Sequence, residues 1–188
     1  MKNIYIVLTR TNTILSKFIS FLKNDEYTHA SISLEKSLNT MFSFGRKNVY
    51  NPLIGSFVKE NLCEGVYGLH NNLHGLVIEI NVTDEQYNKA EKLLNEFTCN
   101  SKSFKYNYIG LMYSLLNKEF YNDKKFLCSE FVYYILYTSK IADLKIPRNL
   151  VRPQNLLYLK GRVVYKGNLK NINRPLGYLK YNEALPTY

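Results

Sequence analysis

Tryptophan is absent from this 188-residue chain, whereas tyrosine occurs 17 times. The aromatic core must then be built from phenylalanine and from tyrosines whose hydroxyl edges need polar neighbours. No run of five or six basic residues occurs, nor any zinc-finger or RNA-binding signature. The formal charge of +10 is therefore a spread of surface lysines. That pattern argues against a nucleic-acid partner and leaves only a general attraction to anionic lipid or polymer. The three cysteines, Cys63, Cys99 and Cys128, form no close-spaced pair. An odd, scattered set is not a disulfide framework and suits a reducing compartment. The apolar run Ile4–Leu8 is too short for a signal peptide, and the longest uncharged stretch, Tyr106 to Asn117, is too short and too polar to span a bilayer. A cytoplasmic protein is expected. With no linker, repeat or low-complexity segment, residues 1–188 read as one domain with a sizeable core.

What is present alternates between strand and helix signals. Residues 3–9 read as a largely buried strand, and Thr11, Asn12 and Thr13 offer N-caps for a helix carrying Ile14, Leu15, Phe18, Ile19 and Leu22 on one face. A strand follows at His29, with Ala30, Ile32 and Leu34 on one face and His29, Ser31 and Ser33 on the other. A turn at Ser37–Asn39 leads to its hairpin partner, Thr40–Gly45. Asn51-Pro52 through Gly55 breaks the pattern before a short strand near Phe57–Val58. Gly75–Val82 alternates as a strand, and Thr83 with Gln86 forms a capping box for a helix bearing Tyr87, Ala90, Leu94 and Phe97. A helix from about Tyr108 to Leu116 precedes a second that begins at Cys128, and a last strand covers Arg162–Tyr165. The elements do not alternate strictly, so the expected class is α+β, a central antiparallel sheet packed against helices.

Two residues carry chemistry. Cys128 opens an apolar helix after the charged loop Asn122–Lys125, and a helix N-terminus favours the thiolate. His29 stands at the start of its strand. A neutral imidazole within reach of a thiol takes its proton, and the thiolate then attacks a carbonyl carbon. Each residue has a plainer reading, as a small buried hydrophobe and as a hydrogen-bonded strand histidine. Cys63 and Cys99 open no apolar helix. His70 and His74 flank a loop with no third ligand at metal spacing, so no metal site and no cofactor are expected.

The combination of Tyr27-Thr28-His29-Ala30-Ser31-Ile32 early and Cys128-Ser129-Glu130-Phe131-Val132 late resembles the circularly permuted branch of the NlpC-like papain-fold cysteine hydrolases. That branch includes YiiX-like proteins and relatives of the lecithin–retinol acyltransferases. Unpermuted members run from a tyrosine-and-glycine segment through a cysteine helix and a Pro-Arg loop to the histidine strand. Here Tyr106-Asn107-Tyr108-Ile109-Gly110, Cys128–Val132, Pro147-Arg148 and Gln154 keep that order, with the histidine strand moved to the N-terminal side. The resemblance spans nearly the whole chain in element order, and its motifs cover about a quarter of the residues. It implies a permuted papain-like fold, with Cys128 as nucleophile and His29 as base. The third polar residue would come from the strand after His29, where Ser43 stands and YiiX-like relatives tend to have a carboxylate. Glu60 is the alternative, in preference to Asp25 or Glu35. Leu127 departs from the aspartate that precedes the cysteine in unpermuted members, which turns the reading away from cell-wall peptidases.

The expected activity is thiol hydrolysis or acyl transfer at an amide or ester bond of a peptide-like or acyl-lipid substrate. Lys17 and Lys23 beside the Ile14–Leu22 face suit peripheral membrane contact, although such a face also serves as core. Arg46 and Lys47 are either solvated or placed to bind a carboxylate or phosphate. The alternative function is a catalytically silent domain that binds an acyl or peptide ligand in the same cleft.

Overall fold

The computed structural model describes residues 1–10, 25–48 and 51–172, with side chains left out at 47, 48 and 51–54. The expected Ile14–Leu22 helix, with Lys17 and Lys23, lies outside the described residues. Eight strands are seen: β1 Lys2–Thr9, β2 His29–Ser33, β3 Met41–Asn48, β4 Asn51–Glu60, β5 His74–Val82, β6 Lys105–Tyr106, β7 Lys125–Phe126 and β8 Arg162–Asn168. The described helices are α1 Gly65–Gly68, α2 Asp84–Cys99, α3 Tyr108–Leu115 and α4 Cys128–Thr138. The strands form one sheet in the order β7-β6-β4-β3-β2-β1-β5-β8. All neighbours are antiparallel except the β6–β7 pair. The class is α+β.

Burial on both faces explains the continuous apolar run of β1. Ile4, Ile6 and Leu8 point into the main core beneath α2 and α4, while Tyr5 and Val7 join a smaller cluster with Met41, Leu73 and Val77. In α4, Phe131, Val132, Ile135 and Leu136 are fully buried, and the helix packs on β2 and β3. Phenylalanine does supply the aromatic core. The Phe44 ring lies 5.2 Å from that of Phe131 and 5.3 Å from that of Phe126, with Phe57 and Phe97 around it.

The Thr83 capping box is formed, with Gln86 N donating to Thr83 Oγ1 at 3.2 Å and Thr83 N to Gln86 Oε1 at 3.0 Å. Asp84 and Glu85 in the first turn complement the helix dipole. Thr83→Ala is expected to lower the unfolding free energy by about 1 kcal/mol. An unchanged urea midpoint would count against that role for the cap.

One expectation is corrected. Asn51–Gly55 does not break the sheet, because β4 runs unbroken from Asn51 to Glu60. The β6 strand joins β4 only at Ser56, so Pro52 stands where one edge of β4 is open and a missing N–H is tolerated. No helix among the described residues is long and apolar enough to cross a membrane.

Candidate active site

Cys128 is the first residue of α4 and is buried. The helix is aimed by a second interaction in its first turn. Glu130, fully buried, accepts the Leu127 N–H at 3.0 Å and pairs with Arg148 Nε at 3.0 Å. The Arg148 guanidinium also donates to Asn122 O and lies 4.9 Å from the Phe126 ring centroid.

The imidazole arrives from the neighbouring strands. β2 and β3 pair only at Ile32–Phe42, so the two strands part towards His29. The Ala30 N–H, which the single β2–β3 pair leaves outside the ladder, and the Ser129 N–H both favour the Cys128 thiolate. The His29 ring is close enough to interact electrostatically with the thiol as well. The Nε2 of that ring faces Glu60, at 3.0 Å from Oε1 and 3.2 Å from Oε2, with Ser43 Oγ at 3.3 Å. Since Nε2 is occupied there, Nδ1 is the atom left for the sulfur. Ser43 donates its own proton to Ala30 O at 2.7 Å, so it can only accept from His29. Glu60 is therefore the principal partner of the ring, with Ser43 beside it. Asp25 pairs with Arg152 and Glu35 accepts the Thr40 N–H.

Glu60 is held in turn by Ser31 Oγ at 2.5 Å and the Tyr67 hydroxyl at 3.5 Å, and Tyr67 OH lies 3.4 Å from Thr9 Oγ1. The strand period could have pointed to Ser31, two residues from His29 on the same face. Nothing local marks Tyr67 or Thr9 as neighbours of the site, or pairs Glu130 with Arg148.

Electrostatics favour a charged pair. Burial pushes the Cys128 thiol up, but the nearby His29 and its charge, with the Ala30 and Ser129 N–H groups, bring it below its ordinary range. Burial pulls His29 down, yet the charges of Glu60 and Cys128 hold it well above the usual imidazole range. Burial and Glu60 push the Tyr67 phenol up to about 12, so it is neutral at physiological pH. The anions that support the imidazolium there are thus Glu60 and the thiolate.

A cavity of about 30 Å³ adjoins Cys128, lined in part by Thr28, Tyr106, Leu111, Ser114 and Leu115. Arg46 lines a larger cleft, about 320 Å³, on the Glu60–Tyr67 side, whereas the Lys47 side chain lies outside the described residues. Cys63 and Cys99 are exposed and stand apart from these groups. His74 pairs with Glu26 at 3.2 Å, and no cluster of three or more potential metal ligands occurs among the described residues. Compared with family models, curated proteins and solved structures, the chain matches none.

Proposed function

We propose that this protein is a cysteine hydrolase or acyltransferase that opens an amide or ester bond through an acyl-enzyme on Cys128. The observation that carries the reading is a buried thiol at a helix start beside an imidazole whose Nε2 is held by a carboxylate. The Cys128 thiolate adds to the carbonyl carbon, and the oxyanion draws on the N–H groups that favour the thiolate. His29 then gives its Nδ1 proton to the leaving amine or alcohol as the bond to carbon breaks. The neutral imidazole next takes a proton from water, or from an acceptor hydroxyl or amine, which attacks the thioester and releases Cys128. Glu60 fixes the ring and balances the imidazolium charge, and Ser43 assists by accepting from the same N–H.

The order of these elements supports the permuted papain-like assignment, and the peptide-like or acyl substrate class comes with it. A thiol that must stay reduced suits the cytoplasm. A carboxylate beside His29, Glu60 at 3.0 Å, supports the catalytic reading over a silent binding domain.

The test is the rate of Cys128 alkylation by iodoacetamide as a function of pH. In the wild type the thiolate–imidazolium pair exists above the lowered thiol pKa and dissolves as pH rises through the raised His29 pKa. Reactivity should therefore begin at a pH below that of a free thiol, about 8.5. His29→Ala removes the charge that opposes burial, so its midpoint should move upward. Glu60→Gln removes an anion that holds the His29 proton, so the imidazolium supports the thiolate less and the onset of reactivity should also move upward, by less than in His29→Ala. Three superimposable profiles would refute the pair.

A further inference from the structure

Helix α3 is amphipathic in the wrong sense for a surface helix. Its buried residues are Gly110, Leu111 and Ser114, two of them small or polar. Its outer face carries Ile109, Met112, Tyr113 and, at the C-cap, Leu116, with exposures of 51%, 58%, 40% and 66%. These positions recur at three- and four-residue spacing and form one apolar stripe facing outward. Tyr121 is exposed as well, and the half-buried Phe120 ring lies 5.1 Å from that of Tyr113. Scattered single hydrophobes on a surface need no explanation, whereas a contiguous stripe does.

The charges around the stripe are mostly of one sign. Lys102, Lys105 and Lys125 share a groove of about 560 Å³ with Tyr106 and Tyr108 at the N-terminal end of α3. Lys105 and Lys125 are register neighbours on β6 and β7, so their like charges are held side by side. None of these three lysines has an ion pair among the described residues. Lys118 follows the other end of the helix. Glu119 accepts the Tyr121 hydroxyl at 2.7 Å, but the lysines at the N-terminal end of α3 outnumber it, and large apolar and aromatic side chains beside unpaired cations match the boundary of an anionic bilayer.

The inner face of the same helix closes the active site. Leu111, Ser114 and Leu115 line the cavity beside Cys128, which is only 6% exposed. That opening, about 30 Å³, is too narrow for an acyl chain or a peptide. A bulky substrate reaches Cys128 only when a wall of the opening moves. α3 is the wall whose anchoring face is poor in large apolar groups and whose outer face is rich in them.

We propose that α3 is a lid that docks on an anionic lipid surface, and that docking uncovers Cys128. The inference rests on the proposed thiol chemistry only for its purpose. The docking itself needs no turnover.

The full chain is to be sedimented with vesicles of phosphatidylcholine alone and with vesicles in which about a third of the lipid is phosphatidylserine. Wild type should partition onto the anionic vesicles and, in their presence, its Cys128 should be alkylated by iodoacetamide several-fold faster. Replacing Ile109, Met112 and Leu116 together with serine should weaken partition by about tenfold or more and remove the acceleration. These side chains are already exposed, so the circular dichroism spectrum should not change. Lys102→Gln with Lys105→Gln and Lys125→Gln should weaken binding to the anionic vesicles and flatten its salt dependence. Cys128→Ser should bind as wild type does, which separates failure of docking from failure of the proposed chemistry. Equal partition of wild type and the triple serine variant would overturn the proposal. So would an α3-dependent dimer that ignores vesicles, which would identify a second copy as the occupant of the stripe.

Discussion

Cys128→Ser is expected to reduce turnover of a small activated ester by on the order of 10⁴-fold while leaving the unfolding midpoint close to that of wild type. The exchange is nearly isosteric, so the cavity and the packing of α4 on β2 and β3 are kept. The nucleophile is not kept. The surroundings lower the pKa of the Cys128 thiol, and a serine hydroxyl lies far above the reach of that stabilisation. The direct readout is mass: after a brief exposure to the ester, wild type should carry an acyl group on the peptide containing Cys128, and the variant should carry none there. Acylation confined to Cys63 or Cys99 would show that exposed thiols, and not the buried one, react. Residual turnover within about tenfold of wild type would equally remove Cys128 from the mechanism.

The second large effect concerns Glu130. It is fully buried, one of its oxygens accepts the Leu127 N–H, and the other meets Arg148, whose side chain is 18% exposed. Burial pushes the Glu130 carboxyl up, and the Leu127 N–H with Arg148 offsets only part of that. Such a pair adds little net stability over an apolar pair of the same shape, but breaking one half is costly. Glu130→Ala leaves a guanidinium and a backbone N–H without their partner and is expected to cost about 3–5 kcal/mol in urea unfolding. Glu130→Leu combined with Arg148→Met should recover most of that loss. A double variant no more stable than Glu130→Ala would mean that the pair stabilises the fold outright. If the double variant is stable but acylates slowly, the pair serves to aim the first turn of α4 at His29.

Much of this molecule can be read locally. The apolar run of β1, the alternation of β2, the Thr83–Gln86 box and the apolar helix after Leu127 are short-range signals, because each depends on neighbours within a turn or a strand period. Such signals also singled out Cys128 and His29, each by its place at the start of an element. β6 and β7 have two residues each, too few to show any periodicity, and β4 continues through Pro52 only because one of its edges is open. The choice of partner for His29 is of another kind. Ser43 is close in the chain and shares the hairpin face, so it could be nominated from strand register. Glu60, 31 residues away, becomes the principal partner because β4 returns beside β3 and brings its last residue across from Met41, two positions from Ser43. Tyr67 and Arg148 are likewise brought in by the course of the chain. Helix starts and strand faces are set by interactions among adjacent residues, and these leave a pattern in the sequence. A charge network is set by which strand ends meet, and that is decided only when the whole sheet has closed.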